Sequence, residues 1–150
     1  MKQRAAVSVI ASLILSATAA LSQASAPLVT VFKTSTCGCC GKWVEHLKAN
    51  GFDVKVQDVN DATAYARQYH VPLNLESCHT ALVNGYVIEG HVPAKEIKRL
   101  LAEHPKSLGL AVPGMPAGSP GMEGARSESY SVFLFDQNGA ASVYARYPDR

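Results

Sequence analysis

Leu28-Val29-Thr30-Val31-Phe32-Lys33-Thr34-Ser35-Thr36-Cys37-Gly38-Cys39-Cys40-Gly41-Lys42-Trp43 is the stretch whose reading decides the fold. Residues 28–32 are apolar and β-rich, as in a buried strand. Thr34-Ser35-Thr36 offers side chains that cap a helix N-terminus. Trp43, Val44 and Leu47 then share one helical face, and Asn50-Gly51 stops the helix. A cysteine motif therefore sits where a strand passes into a helix.

Downstream, Phe52-Asp53-Val54-Lys55-Val56 alternates apolar and polar and predicts a second strand. Asn60-Asp61 caps a helix that runs to about Tyr69 and ends before Pro72. A loop carries Ser77-Cys78-His79. Thr80–Val83 and Tyr86–Gly90 flank Asn84-Gly85, the strongest two-residue hairpin signal. Pro93 opens a last helix in its first turn, with Ile97, Leu100 and Leu101 as the apolar stripe. The order is β-α-β-α-β-β-α. With a cysteine motif at the first strand–helix junction it predicts an α/β, thioredoxin-like domain over residues 27–105. In such folds the loop before the third strand faces the cysteine motif and usually carries a cis-proline; here His79 takes that place. Residues 106–150 read as an extension. It begins with a Pro/Gly/Met segment, Val112–Met122. It ends in two strands between Ser129 and Tyr147 around Asp136-Gln137-Asn138-Gly139. Val132, Leu134, Val143 and Ala145 would form one face of a hairpin folded back on the domain, since a lone hairpin is marginal in water.

Residues 1–24 read as a secretory signal peptide. Lys2 and Arg4 precede an uncharged apolar run, and small residues follow. Cleavage after Ala24 or Ala19 fits better than cleavage after Ala26, which would leave Pro27 first. The chain has 14 Lys+Arg and 12 Asp+Glu. Losing Lys2 and Arg4 balances them, so no electrostatic case exists for nucleic acid or for a membrane surface after cleavage. Export places the four cysteines in an oxidising compartment, where bare thiols do not last.

Cys37 and Cys40 have the C-x-x-C spacing, and a helix N-terminus stabilises thiolate there. A dithiol enzyme with Cys37 as nucleophile and Cys40 as resolving thiol is one reading. Cys39 is surplus to it and invites a metal reading. Cys78, on the facing loop, would bring four sulfurs into one space beside the His79 imidazole. Two inert disulfides, Cys37–Cys40 and Cys39–Cys78, are the bland alternative, although adjacent cysteines are poorly placed for two unstrained bridges. Zinc suits four thiolates but usually takes two C-x-x-C knuckles, and the spacings match neither common [2Fe–2S] pattern. Copper(I) fits the ligand type best. Met115 and Met122, in the Pro/Gly segment, are candidate thioether ligands or plain loop filler. His79 and His91 are candidate nitrogen ligands, while His46, His70 and His104 read as ordinary surface residues.

Thr36–Trp43, Ser77-Cys78-His79-Thr80, Gly85–Pro93, Val112–Pro116 and Gly118–Glu123 together resemble the CopG-type family of periplasmic copper-resistance proteins. The resemblance spans nearly the whole chain after residue 24. It implies a thioredoxin-like domain whose C-terminal extension helps bind metal. It also implies a multinuclear copper cluster bridged by the sulfurs of Cys37, Cys39, Cys40 and Cys78, with redox interconversion of Cu(I) and Cu(II) in copper resistance. Periplasmic location follows from it, with copper ions and copper efflux or chaperone proteins as partners. The alternatives are the Cys37/Cys40 oxidoreductase and a passive copper chaperone or buffer.

Overall fold

The computed structural model describes residues 25–148. The segment read as a signal peptide, residues 1–24, lies outside the described residues. The elements are β1 (Leu28–Lys33), α1 (Gly38–Ala49), β2 (Asp53–Asp58), α2 (Ala62–Gln68), a 3-10 turn (Leu73–Leu75), β3 (His79–Val83), β4 (Tyr86–Glu89), α3 (Ala94–Glu103), β5 (Gly109–Ala111), β6 (Tyr130–Phe135) and β7 (Ala141–Tyr147). No helix among the described residues is long and apolar enough to cross a membrane.

All seven strands form one mixed sheet in the order β2-β1-β3-β4-β5-β6-β7. β1 and β2 run parallel across the α1 crossover, and β3 lies antiparallel to both β1 and β4. Asn84 (φ 45°) and Gly85 (φ 85°) make the tight turn between β3 and β4, because a type I′ turn needs positive φ at both central residues. The 109–111 strand has no counterpart in the sequence reading. Three residues are too few for a periodic signal, and β5 exists because it pairs in parallel with Val87–Glu89. Through β5 the C-terminal hairpin continues the sheet.

Apolar residues cover both faces. Trp43, Leu47, Ile97 and Leu100 pack with Val29, Val31, Ile88, Leu110 and Val132 on one side. Ala66, Val71, Leu75, Val87, Ala111 and Phe135 pack on the other. The predicted face of the final hairpin needs one correction. Val143 is exposed and pairs with Phe133, whereas Ala145 pairs with the buried Val132. A bulge at Val132/Phe133 changes the register, so Val143 leaves the face that Val132 occupies.

Two helix starts also differ from the sequence reading. The Cys37 sulfur, not a hydroxyl of Thr34-Ser35-Thr36, accepts from the Cys40 N–H at 3.4 Å. The cause is a turn, closed by the Cys37 N–H on the Thr34 carbonyl, which delays the helix. At α3, Pro93 is the cap residue rather than part of the first turn. His46 Nε2 accepts from the Ala94 N–H at 3.1 Å, so His46 joins α1 to α3 and is not an ordinary surface residue. His70 and His104 are exposed at helix ends with positive φ.

Candidate metal centre

The N-terminus of α1 presents Cys37, Cys39 and Cys40, and the loop before β3 presents Cys78. Because β3 lies beside β1, the two segments meet at one end of the sheet. The four sulfurs all lie within 4.8 Å of one another. Cys37 and Cys40 are joined as a disulfide with Cα atoms 5.4 Å apart. Cys39 Sγ lies 3.6 Å from Cys37 Sγ, and Cys78 Sγ lies 3.5 Å from Cys40 Sγ. Cys39 and Cys78 are free thiols, so the two-disulfide staple does not form. Burial, and then the neighbouring Cys39, push the Cys78 thiol up to about 12.

Two imidazoles close on Cys78. His91 Nε2 is 3.1 Å and His79 Nδ1 is 3.3 Å from Cys78 Sγ. His91 Nδ1 is 2.8 Å from the Pro120 carbonyl. A carbonyl only accepts, so Nδ1 carries the proton and the Nε2 lone pair faces the sulfur. His79 is fully buried, 4.4 Å from the Trp43 ring and 5.1 Å from the His91 ring between centroids. Burial first, then the His91 charge, push its pKa down to about 3. His91 is lowered too, mainly by burial. Both rings are thus neutral, which is the ligating form. His79 Nε2 is buried without a hydrogen-bond partner. The sequence pointed to His79 by its adjacency to Cys78 and to His91 by its place after the hairpin's second strand, from which it could turn toward the site or toward water, and the fold brings both beside the sulfur.

Residues 112–122 form a strap over the α1 N-terminus. Met115 is 51% exposed, and its Sδ lies 4.0 Å from Cys39 Sγ. The Ser77 hydroxyl donates to the Gly114 carbonyl, tying the strap to the Cys78 loop. Met122 sits in a turn closed by its own N–H on the Ser119 carbonyl, at 2.8 Å. Of the two candidate methionines, Met115 is the one in contact with a cluster sulfur.

Glu89, Pro120 and Gly121 were not singled out from the sequence. Glu89 offered one signal, a charge closing an otherwise apolar strand, Tyr86–Ile88. It is fully buried and accepts from the Ser77 N–H and the Thr80 hydroxyl, both at 2.7 Å, so it holds the Cys78 loop. Burial pushes its pKa up from 4.5 to about 7, against the pull of those two hydrogen bonds. A carboxyl raised in this way binds a proton in the folded state over that window and not in the unfolded state. Stability from this residue is therefore greatest in acid and falls as pH rises from about 4.5 to about 7. The loss amounts to about 3 kcal/mol over the window. Glu89→Gln can accept from Ser77 and donate to the Thr80 hydroxyl. It is expected to flatten that slope in urea unfolding of the metal-free protein between pH 5 and pH 8. A variant slope equal to that of the parent would show that Glu89 is ionised throughout.

The donors that meet here are sulfur and neutral imidazole nitrogen, with no carboxylate among them. That set suits copper or zinc and disfavours magnesium and calcium, which take oxygen ligands. With the disulfide closed, Cys37 and Cys40 are not thiolates, so the full four-thiolate set requires its reduction.

Comparison with known proteins agrees with this chemistry. The family model described as "Protein of unknown function, DUF411" matches residues 75–122, which include Cys78, His79, Glu89, His91 and the strap. No curated protein sequence matches. A solved structure described as copper resistance protein CopG, form 2, is 44% identical with a TM-score of 0.78; the alignment covers 82% of this chain and 99% of that one. A second, described as form 1, is 45% identical with a TM-score of 0.76, covering 81% and 97%. At that identity, over nearly the full length of both relatives, the chain belongs to the CopG copper resistance protein family.

Proposed function

We propose that the protein binds copper at Cys37, Cys39, Cys40 and Cys78 as a redox-active thiolate cluster and acts in copper resistance in the periplasm. Convergence of four sulfurs within 4.8 Å, two of them joined as a disulfide, carries the reading. Thiolates favour Cu(I), and imidazole nitrogen tolerates both oxidation states. A dithiol reductant would open the Cys37–Cys40 bond by exchange, becoming a disulfide itself and returning two electrons and two thiolate ligands. We take the first four strands and three helices as a thioredoxin-like unit, with residues 106–150 as its metal-covering extension. Met115, half exposed beside Cys39, is the side from which copper would pass to an efflux or chaperone protein.

Cys39→Ser tests the cluster. The reduced variant is expected to fold and to bind fewer copper ions with an altered absorption spectrum. Full stoichiometry and an unchanged spectrum would remove the cluster reading. A thiol–disulfide oxidoreductase remains the second reading, because half-buried Cys37 is bonded to fully buried Cys40, the arrangement of an attacking and a resolving thiol. Disulfide exchange by the metal-free protein, lost in Cys37→Ser, would favour it.

A further inference from the structure

His46 lies half-buried on α1, and its ring answers to two separate parts of the protein. Nε2 accepts from the Ala94 N–H at 3.1 Å, at the start of α3. Glu123, just past the strap, is the charged group that acts on the ring. We propose that His46 is a positioning residue for the cluster: while neutral it fixes His91-Val92-Pro93-Ala94 to α1, and its protonation releases that segment and lowers copper affinity in acid. That the affected site holds copper rests on the function proposed above; the coupling of His46 to residues 91–94 does not.

Four observations support it. First, α3 has no side-chain cap of its own. Pro93 stands at the cap position without a side-chain hydrogen bond, and the Glu96 and Ile97 N–H groups turn back to its carbonyl. Ala94 is buried, and its N–H needs a partner away from water. His46 supplies it from another helix. Second, the same face of α1 holds the residue between. Trp43, three positions before His46, donates its Nε1–H to the Val92 carbonyl at 2.9 Å. Val92 and Ala94 are thus each tied to α1, and His91 precedes them with Nε2 at 3.1 Å from Cys78 Sγ. Third, the bond to Ala94 needs a neutral ring. The Ala94 N–H can only donate, so Nε2 carries the lone pair and Nδ1 the proton. A protonated ring would set a second N–H against that of Ala94 and a cation against the positive end of α3. Fourth, the protonated ring has somewhere else to turn. Glu123 pulls the His46 pKa up, while His46 and Lys42 both pull Glu123 down. The other carboxylates near it in sequence are engaged: Glu45 by Lys48, and Glu96 by Arg99 and the Tyr147 hydroxyl. Lys95, next to Ala94 on α3, is a further cation. Burial outweighs Glu123 and keeps the His46 pKa below its ordinary 6.5, so the ring is neutral at pH 7. The contribution of the His46–Ala94 bond is full above pH 6.5 and is lost as pH falls below it.

His46→Gln is the informative variant, because its side-chain oxygen can accept from the Ala94 N–H and does not titrate. In the metal-free protein, acidification from pH 7.5 to pH 5 is expected to move the Ala94 amide and His91 ring resonances together with the titration of His46. In His46→Gln the same resonances should move less. Cu(I)-chelator competition on the reduced protein supplies the second readout. His46→Ala is expected to lower affinity about three- to tenfold at pH 7.5, less than the loss of a partner in direct contact with a ligand, since it acts through a peptide segment. His46→Gln should restore it to within about twofold. One coupled proton changes affinity by at most about tenfold per pH unit, so on acidification the parent should lose about threefold or more beyond the loss in His46→Gln. The comparison of parent with His46→Gln decides even where His46→Ala does not fold. An Ala94 amide indifferent to His46, His91 resonances that move alike in the two proteins, or equal acid losses of Cu(I) affinity would each overturn the proposal. If the parent takes up no Cu(I) at pH 7.5, the copper reading fails, and the Ala94 and His91 resonances alone decide the coupling.

Discussion

Cys78→Ser is expected to abolish copper binding by the reduced protein, with affinity falling by more than about 100-fold. Cys78 meets the other sulfurs and both imidazoles, 3.5 Å from Cys40 Sγ, 3.1 Å from His91 Nε2 and 3.3 Å from His79 Nδ1. Serine keeps the shape and substitutes a hard, protonated oxygen for a soft thiolate, which costs far more than the roughly 10–100-fold seen when an outer-shell partner is lost. The Cys78 loop is held by the Ser77 N–H on Glu89 and the Ser77 hydroxyl on Gly114, and neither contact involves the sulfur. The fold should therefore change by less than about 1 kcal/mol. A Cu(I)-chelator competition titration, with thermal unfolding of the free protein alongside, measures both. Affinity retained within about tenfold would mean that copper is held elsewhere.

Gly121→Ala is expected to lift the strap and cost about 2–4 kcal/mol, with Gly121→Val worse. Gly121 has φ +88°, and a Cβ there would lie 2.6 Å from the Cys39 carbonyl oxygen and 2.9 Å from the Trp43 nitrogen. Both are backbone atoms of α1 and cannot yield as a flexible side chain would. His91 Nδ1, at 3.3 Å, lies on the same side. Moving the strap removes the Pro120 carbonyl from His91 and the Met115 contact from Cys39. Metal affinity should fall together with stability. Gly124→Ala is the control, since that glycine has open space around its Cβ position and no positive φ. Thermal unfolding and limited proteolysis of the strap compare the two. Equal melting temperatures would show that the strap is not seated on α1 in solution.

Much of the scaffold was legible because its signals are local. The Val29/Val31 alternation, the Asp61 cap of α2, the Asn84-Gly85 turn and the α3 stripe each act within a few residues. The four cysteines were legible for the same reason, as spacing and residue type. Errors fell where a distant partner decides. Val143 left its face because of a bulge against β6, β5 exists through pairing with β4, and His46 caps a helix 48 positions away.

The sequence by itself determined the order of the elements other than β5 and which side chains carry sulfur and imidazole, since periodicity, capping and turn chemistry are short-range. The tertiary structure decided what those side chains are to one another. It closed Cys37 on Cys40 and left Cys39 and Cys78 free. It placed both histidines on Cys78, set Met115 beside Cys39, and put buried Glu89 beneath the loop. Apart from the Cys37–Cys40 bond and the His79–Cys78 contact, which are local, those outcomes depend on contacts across a dozen or more residues, through pairing of β1 with β3 and seating of the strap on α1. Such contacts form only when burial of the shared core outweighs the entropy of closing the loops between them.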